Sequence, residues 1–384
     1  MFKIPVYQPY LTGNIKKYVN DCLDSSWISS KGKYISLFEE AFKKYIGSDY
    51  AVGVCNGTVA LHLALVALGI GPGDEVIVPA LTYVASANAI AYTGAIPVFV
   101  DSREDSWQMD PEEVQKKISS RTKAVMAVHL YGHPCDLDPL VALCRLNGLY
   151  LIEDCAEAFG SCYKGRHVGT AGDVGTFSFF GNKTITTGEG GMVVCQDSSL
   201  YEKLQLYKGQ GVSSSGNYWH EVIGYNYRMT NICAAIGLSQ IEIADQILER
   251  KLRIAKSYEE KLQGLPISFH KPIGDVSHSY WMCSILTHEK NIRDKLREFL
   301  ASYGVETRPF FYPVHHLPMY KKESESYPGA EDLSGRGINL PSYPELSELN
   351  VQMICDLIQE FYLCSKHCCF SDAVDIAAAP QIST

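Results

Sequence analysis

Ser178-Phe-Phe-Gly-Asn-Lys183-Thr-Ile-Thr-Thr-Gly-Glu-Gly-Gly191 sets one amine between a strand-like apolar run and a glycine-rich turn. An amine held this way suits an aldehyde cofactor, and the pattern around it shows what scaffold holds it. Residues 176–180 lead into the stretch as a candidate strand. Upstream, residues 75–79, 95–100, 123–129 and 149–153 are further apolar runs of strand length. Helical stretches at 111–118 and 139–147 lie between several of them, and a helix at 61–70 precedes the first through a Gly-Pro-Gly-Asp turn. Apolar strands alternating with helices predict an α/β fold, a mainly parallel central sheet covered by helices.

Beyond about residue 231 the pattern turns helical over 234–262, and 279–286 opens a smaller mixed region. The reading is a large domain over residues 1–245, with the N-terminal segment, and a smaller C-terminal α/β domain over 246–364. Residues 365–384 lose periodicity and become rich in Ala and Ser, so burial there does not offset the entropy of ordering and a flexible tail is expected.

The bulk numbers exclude several classes. A chain of 384 residues, 46% hydrophobic, buries a substantial core. A net charge of −9 argues against a nucleic-acid binder, which needs clustered Lys and Arg to displace counterions. The start, MFKIPVYQPYLTGN, has no signal-peptide apolar core, and no segment approaches the roughly 20 apolar residues of a membrane span. A cytoplasmic protein is expected. Most of the 13 cysteines sit singly in apolar runs, such as Cys22, Cys144, Cys195 and Cys233, where a reduced thiol packs as a small hydrophobe. Cys364-Ser-Lys-His367-Cys368-Cys369 gathers soft ligands, but no second cluster accompanies it and no metal is expected.

A lone lysine is usually a solvated surface charge, so pyridoxal phosphate chemistry at Lys183 requires a phosphate anchor, a pyridine partner and a ring support. Cys55-Asn56-Gly57-Thr58 opens a helix, where backbone amides and a hydroxyl converge at the positive end of the dipole. Taken alone it reads as an ordinary helix cap. Asp154 ends the strand-like 149–154, where α/β sheets present functional groups, and a buried carboxylate there keeps a ring nitrogen protonated. Strand alternation sends Glu153 to the other face, while Glu157 is placed for the phenolic oxygen. Tyr83 follows another strand and suits stacking on the ring, with core packing as its rival role. Ser178 is placed to donate to the phosphate. Gly69-Ile-Gly71-Pro-Gly73 follows a helix and precedes a strand, the reverse of a dinucleotide fingerprint, so a nicotinamide enzyme is disfavoured.

Over residues 4–363 the chain resembles the DegT/DnrJ/EryC1/StrS sugar-nucleotide aminotransferases of the aspartate-aminotransferase-like fold. The resemblance runs through WISSKG (27–32), HLYGHPCDLD (129–138), EDCAEAFGS (153–161), FSFFGNKTITTGEGGMVV (177–194) and GYNYRMTNICAAIGL (224–238). It implies Lys183 as cofactor tether and proton shuttle, Asp154 on the ring nitrogen, and Gly57, Thr58 and Ser178 on the phosphate. Tyr83 would lie against the ring and Glu157 near the phenolic oxygen. It implies a homodimer in which Asn226 reaches the partner's cofactor phosphate. For the sugar nucleotide it points to Trp27, Ser29, Lys31, Arg308, Tyr312 and His315, whose chemistry suits a diphosphate and ring hydroxyls. The implied reaction moves an amino group from L-glutamate to a 4-keto-6-deoxy sugar nucleotide, a GDP-linked mannose derivative first and UDP- or dTDP-linked sugars as alternatives. Relatives that act as sugar dehydratases typically carry His in place of the lysine, and Lys183 speaks against that activity. A noncatalytic cofactor-binding protein is the rival of a different class. Two stretches depart from the family pattern, the Ser-rich 212–216 and everything after about Cys364.

Overall fold

The computed structural model describes residues 2–213, 218–271 and 274–367. Residues 214–216 of the Ser-rich run, with Asn217, and residues 368–384 of the expected tail, Cys368 and Cys369 among them, lie outside the described residues, while 365–367 end the Glu348–His367 helix. In chain order the strands are β1 (Tyr50–Val54), β2 (Glu75–Pro79), β3 (Ile96–Val100), β4 (Thr122–Val128), β5 (Tyr150–Asp154), β6 (Cys162–Tyr163) and β7 (Arg166–His167). They continue as β8 (Val174–Ser178), β9 (Gly191–Cys195), β10 (Ile267–Ser268), β11 (Val276–Ser277), β12 (Cys283–Thr287), β13 (Arg308–Pro309) and β14 (Gly337–Leu340).

Seven strands form the central sheet in the order β1-β9-β8-β5-β4-β2-β3. All neighbouring pairs from β8 through β5, β4 and β2 to β3 are parallel, and β9 alone runs against both β1 and β8. The α/β class read from the sequence is therefore the observed one. Because β1, β2, β4, β5 and β8 share one direction, their carboxyl ends open on the same edge. That edge is where an open α/β sheet binds ligands. A second sheet, β10-β12-β14-β13, belongs to the C-terminal part, and β11-β6-β7 form a small third sheet.

Two buried clusters flank the central sheet, one including Leu61, Leu63 and Leu65, the other Phe38, Phe42, Phe177 and Phe179. A third, with Ile254, Ile285, Leu300 and Ile354, fills the C-terminal part and takes in Ile4 from the N-terminus. Trp281, Phe310 and Val314 pack into the first cluster, so the C-terminal part leans into the core under the central sheet.

The boundaries differ from the sequence reading in physical ways. The helix read over 61–70 spans Gly57–Ala67, because Asn56 Oδ1 accepts the Val59 N–H at 3.0 Å and starts it a turn earlier. It has ended by Gly69, whose φ of +77° favours glycine. The stretch read as one helix over 234–262 is two, Asn231–Glu242 and Ala244–Lys261, broken where Ile243 leaves helical geometry at φ −116°, ψ 14°. Strands β1 and β9 went unread: each is five residues long, one contains a glycine and the other begins with one.

Candidate active site

The shared strand edge assembles the site. Gly57 and Thr58 follow β1, Tyr83 follows β2, Asp154 ends β5 and Ser178 ends β8, and all five line one cavity of about 550 Å³ with Glu157 and Lys183. Asn56 caps the Val59 amide, so the Gly57 and Thr58 amides stand at the open end of the helix without intrahelical acceptors. Ser178 packs directly on Gly57: a Cβ built there would fall 2.6 Å from Ser178 Cβ. Glycine is what lets the helix start and the strand end approach this closely.

Asp154 is 4% exposed and accepts from Ser86 Oγ at 2.8 Å and from the Ala156 amide at 3.1 Å. Burial raises its carboxyl above the usual range, and those hydrogen bonds together with the Lys183 charge oppose the rise. Glu153, adjacent in β5, faces the other way, as alternation requires. It accepts from the amides of Gly169, Ala171 and Gly172 and meets His129 Nε2 at 3.1 Å. His129 Nδ1 accepts the Cys135 N–H at 3.0 Å, which puts the ring proton on Nε2, toward Glu153. One strand thus carries a structural carboxylate on one face and a cavity carboxylate on the other.

Lys183 Nζ lies 3.9 Å from Glu157 Oε1 and 4.0 Å from the centroid of the Trp281 ring. Burial pushes its amine below the ordinary lysine value, with Glu157 and Asp154 pulling the other way. Burial also pushes Glu157 up to about 7. Glu157 Oε2 accepts from the Tyr131 amide at 2.8 Å, and Tyr131 holds a left-handed φ of +56° as it presents that donor. Tyr83 is 54% exposed, its ring 5.4 Å from that of Phe311 across the cavity mouth.

The substrate candidates separate into groups. Arg308 lines the cavity, bound to Glu306 at 2.9 Å, and with Tyr312 it also lines an adjoining space of about 460 Å³ that shares Tyr83, Asn182, Trp281 and Phe311. His315 is not in this cleft. The Val314 amide is held by the Ala80 carbonyl, and the His315 ring is buried with Nε2 3.1 Å from Glu331 Oε1 of the Pro328–Arg336 helix. Trp27, Ser29, Lys31 and Asn226 do not line the cavity either. Asn231 donates to the Trp27 and Ser29 carbonyls at 2.6 Å each, and Arg228 holds Asn226 at 2.9 Å.

Several contributors escaped the sequence reading. Trp281 lies 98 positions from Lys183, and only the fold sets its ring beside the amine and its Nε1–H on the Asn182 carbonyl at 2.7 Å. Ser86 had a legible signal, lying three residues after Tyr83 at the start of a helix. The site fits pyridoxal phosphate by its own chemistry. It offers a glycine-dependent anion cradle, a buried carboxylate, an amine with a depressed proton affinity, and an Asn182 Oδ1 at the cavity with no hydrogen-bond partner among the described residues.

Comparison with known proteins agrees. The chain is 60% identical over 359 residues to the GDP-perosamine synthase of Escherichia coli O157:H7, covering 94% of this chain and 98% of that one. It is 53% identical over 365 residues to the GDP-perosamine synthase of Vibrio cholerae, covering 94% and 100%. In three dimensions it resembles the PLP-form of Spr1654 from Streptococcus pneumoniae, described as a sugar aminotransferase, with a TM-score of 0.89 and 30% identity over 95% of this chain and 99% of that one. Residues 9–359 match the DegT/DnrJ/EryC1/StrS aminotransferase family. With the lysine, the buried carboxylate and the anion cradle on one strand edge, the chain belongs to that family of pyridoxal-phosphate enzymes.

Proposed function

We propose that this sugar aminotransferase converts GDP-4-keto-6-deoxy-D-mannose to GDP-perosamine with L-glutamate as amino donor, supplying surface-polysaccharide sugars such as those of O-antigen. We propose further that it works as a cytoplasmic homodimer. The observation that carries the substrate is the 60% identity, over nearly the whole of both chains, to a GDP-perosamine synthase. For the compartment, the supporting fact is that no helix among the described residues is long and apolar enough to cross a membrane.

The residues divide the work. Bound pyridoxal phosphate supplies the electron sink for removing a proton from the donor's α-carbon. Asp154, buried and fixed by Ser86 and the Ala156 amide, is the group placed to hold the ring-nitrogen proton. Gly57, Thr58 and Ser178 would hold the phosphate, and Tyr83 would lie against the ring. Lys183 moves the proton, and its lowered proton affinity keeps more of the amine in the form that accepts one. Glu157 sits beside that amine and returns charge to it. At the mouth, Arg308 and Tyr312 meet the sugar nucleotide. Trp27, Ser29, Lys31 and Asn226 serve the neighbouring subunit's site, a role supported by their absence from the lining of this chain's own cavity. Trp27 is 56% exposed, as an interface residue is in an isolated chain.

The test is a panel of GDP-, UDP- and dTDP-linked 4-keto-6-deoxy sugars with L-glutamate, read by product mass. The GDP sugar is expected to turn over fastest, and faster turnover of a UDP or dTDP sugar would refute the assignment. For the dimer, mixing Lys183→Ala with Asn226→Ala chains is expected to restore turnover, because each hybrid contains one site with both residues intact. No restoration from two folded, mixed variants would refute the shared site.

A further inference from the structure

Lys251 lies in the middle of the Ala244–Lys261 helix and is fully buried. Among the described residues no carboxylate pairs with it. Its Nζ donates to the Ser342 carbonyl at 2.7 Å and the Trp281 carbonyl at 3.3 Å, and stands 5.4 Å from the centroid of the Tyr7 ring. Burial pushes its amine down to about 8. A buried ammonium without a counter-ion is costly, and an apolar side chain of similar length would avoid that cost.

The three groups it gathers come from separate parts of the chain: the N-terminal segment, the residues before β12, and those after β14. Two of them continue directly to the reactive loop. Tyr7 Oη donates to the Lys183 carbonyl at 2.5 Å. Trp281 Nε1 donates to the Asn182 carbonyl at 2.7 Å, and the same indole ring lies 4.0 Å from Lys183 Nζ. The carbonyls on either side of the Lys183 Cα are thus each held by a residue that Lys251 touches.

We propose that Lys251 is a positioning residue for Lys183, gathering Trp281, Ser342 and Tyr7 so that Trp281 and Tyr7 fix the loop carrying the reactive amine. This rests on Lys183 being the reactive lysine. Lys251 lines neither the cavity nor the adjoining space, so its effect belongs in the rate of proton movement rather than in sugar-nucleotide affinity. Because it acts through Trp281, removing both residues costs little more than removing the worse one.

The experiment compares holoenzymes: wild type, Lys251→Met, Trp281→Phe, the double variant, and Tyr258→Phe as a control. Tyr258 Oη bonds the Pro341 carbonyl at 3.0 Å on the same helix but hydrogen-bonds neither Trp281 nor Tyr7. The readouts are melting temperature, cofactor absorbance during a single turnover with L-glutamate, and steady-state kinetics with the GDP sugar. Lys251→Met is expected to lower kcat about 10- to 100-fold, as a misplacement of about 1 Å does. KM for the sugar nucleotide is expected to stay within about threefold, and the double variant within about threefold of the worse single one. Tyr258→Phe is expected to keep kcat. Should Lys251→Met fail to fold, Tyr7→Phe is expected to show the same split between kcat and KM. A kcat within about twofold of wild type in Lys251→Met, multiplicative losses in the double variant, or an equal loss in Tyr258→Phe would overturn the proposal. A wild type whose cofactor absorbance ignores glutamate would instead overturn the underlying reading of Lys183.

Discussion

Gly57→Ala tests the anion cradle with a single methyl group. A Cβ at Gly57 would lie 2.6 Å from Ser178 Cβ, 3.0 Å from its Oγ and 3.2 Å from its Cα. Carbon atoms in contact settle at about 3.5–4.0 Å, so helix start and strand end must part by about 1 Å. Overpacking of this kind costs roughly 1–3 kcal/mol, offset in part by about 0.4–1 kcal/mol from the stiffer unfolded chain. Function is expected to suffer more, because the displaced groups are those proposed to hold the phosphate. Losing one charge-assisted hydrogen bond worth about 1.5–3 kcal/mol weakens cofactor binding about 10- to 150-fold. The assay is titration of the apoenzyme with pyridoxal phosphate, followed by visible absorbance, with an unfolding curve alongside. Gly181→Ala is the matched control: it sits in the same lysine loop, has no atom within 4 Å of where its added methyl would stand and needs no left-handed φ, so its affinity is expected to match wild type. Affinity within about twofold of wild type in Gly57→Ala would refute the reasoning, since no cradle would then depend on that contact.

Asp154→Asn and Glu153→Gln are expected to separate function from stability on one strand. The first keeps the fold and loses about 100-fold or more in kcat. The second turns an amide toward the Gly169, Ala171 and Gly172 donors and costs about 3 kcal/mol or more in denaturant unfolding, while any folded fraction keeps its cofactor. The reverse pattern would mean the faces are misassigned. Glu157 sets a pH dependence in the apoenzyme. Its carboxyl stays protonated up to about 7 when folded but ionises near 4.5 when unfolded, so the folded state binds the extra proton and stability falls as pH rises through that window. The fall attributable to this group is about 3 kcal/mol, and Glu157→Gln is expected to remove it. An unchanged pH profile of urea unfolding in that variant would contradict the assignment.

The parallel strands β2, β3, β4, β5 and β8 were legible because each is a short apolar run between turn signals, and their shared direction then placed Asp154, Ser178 and Tyr83 on one edge, whereas Gly57 was legible only as the opening of a helix. Residues that depend on local chemistry were therefore readable, including the opposite facing of Glu153 and Asp154. Trp281, Tyr7 and Lys251 were not, because the first two reach the lysine loop, and Lys251 reaches them, across distant sequence with no periodic mark. Lys251 looks like any charge in a helix rich in Glu, Arg and Lys until its burial is seen. The setting of His315 was equally invisible: a residue chemically suited to a diphosphate meets Glu331 and is buried outside the cleft.

Everything proposed for the site depends on Lys183 as the covalent tether and proton carrier. Borohydride reduction of the holoenzyme, followed by peptide mass mapping, tests this most directly when paired with turnover of Lys183→Ala. A phosphopyridoxyl group on the peptide containing Lys183, and no amine transfer by the variant, are the predicted results. Label on another lysine, or transfer persisting in Lys183→Ala, would contradict them.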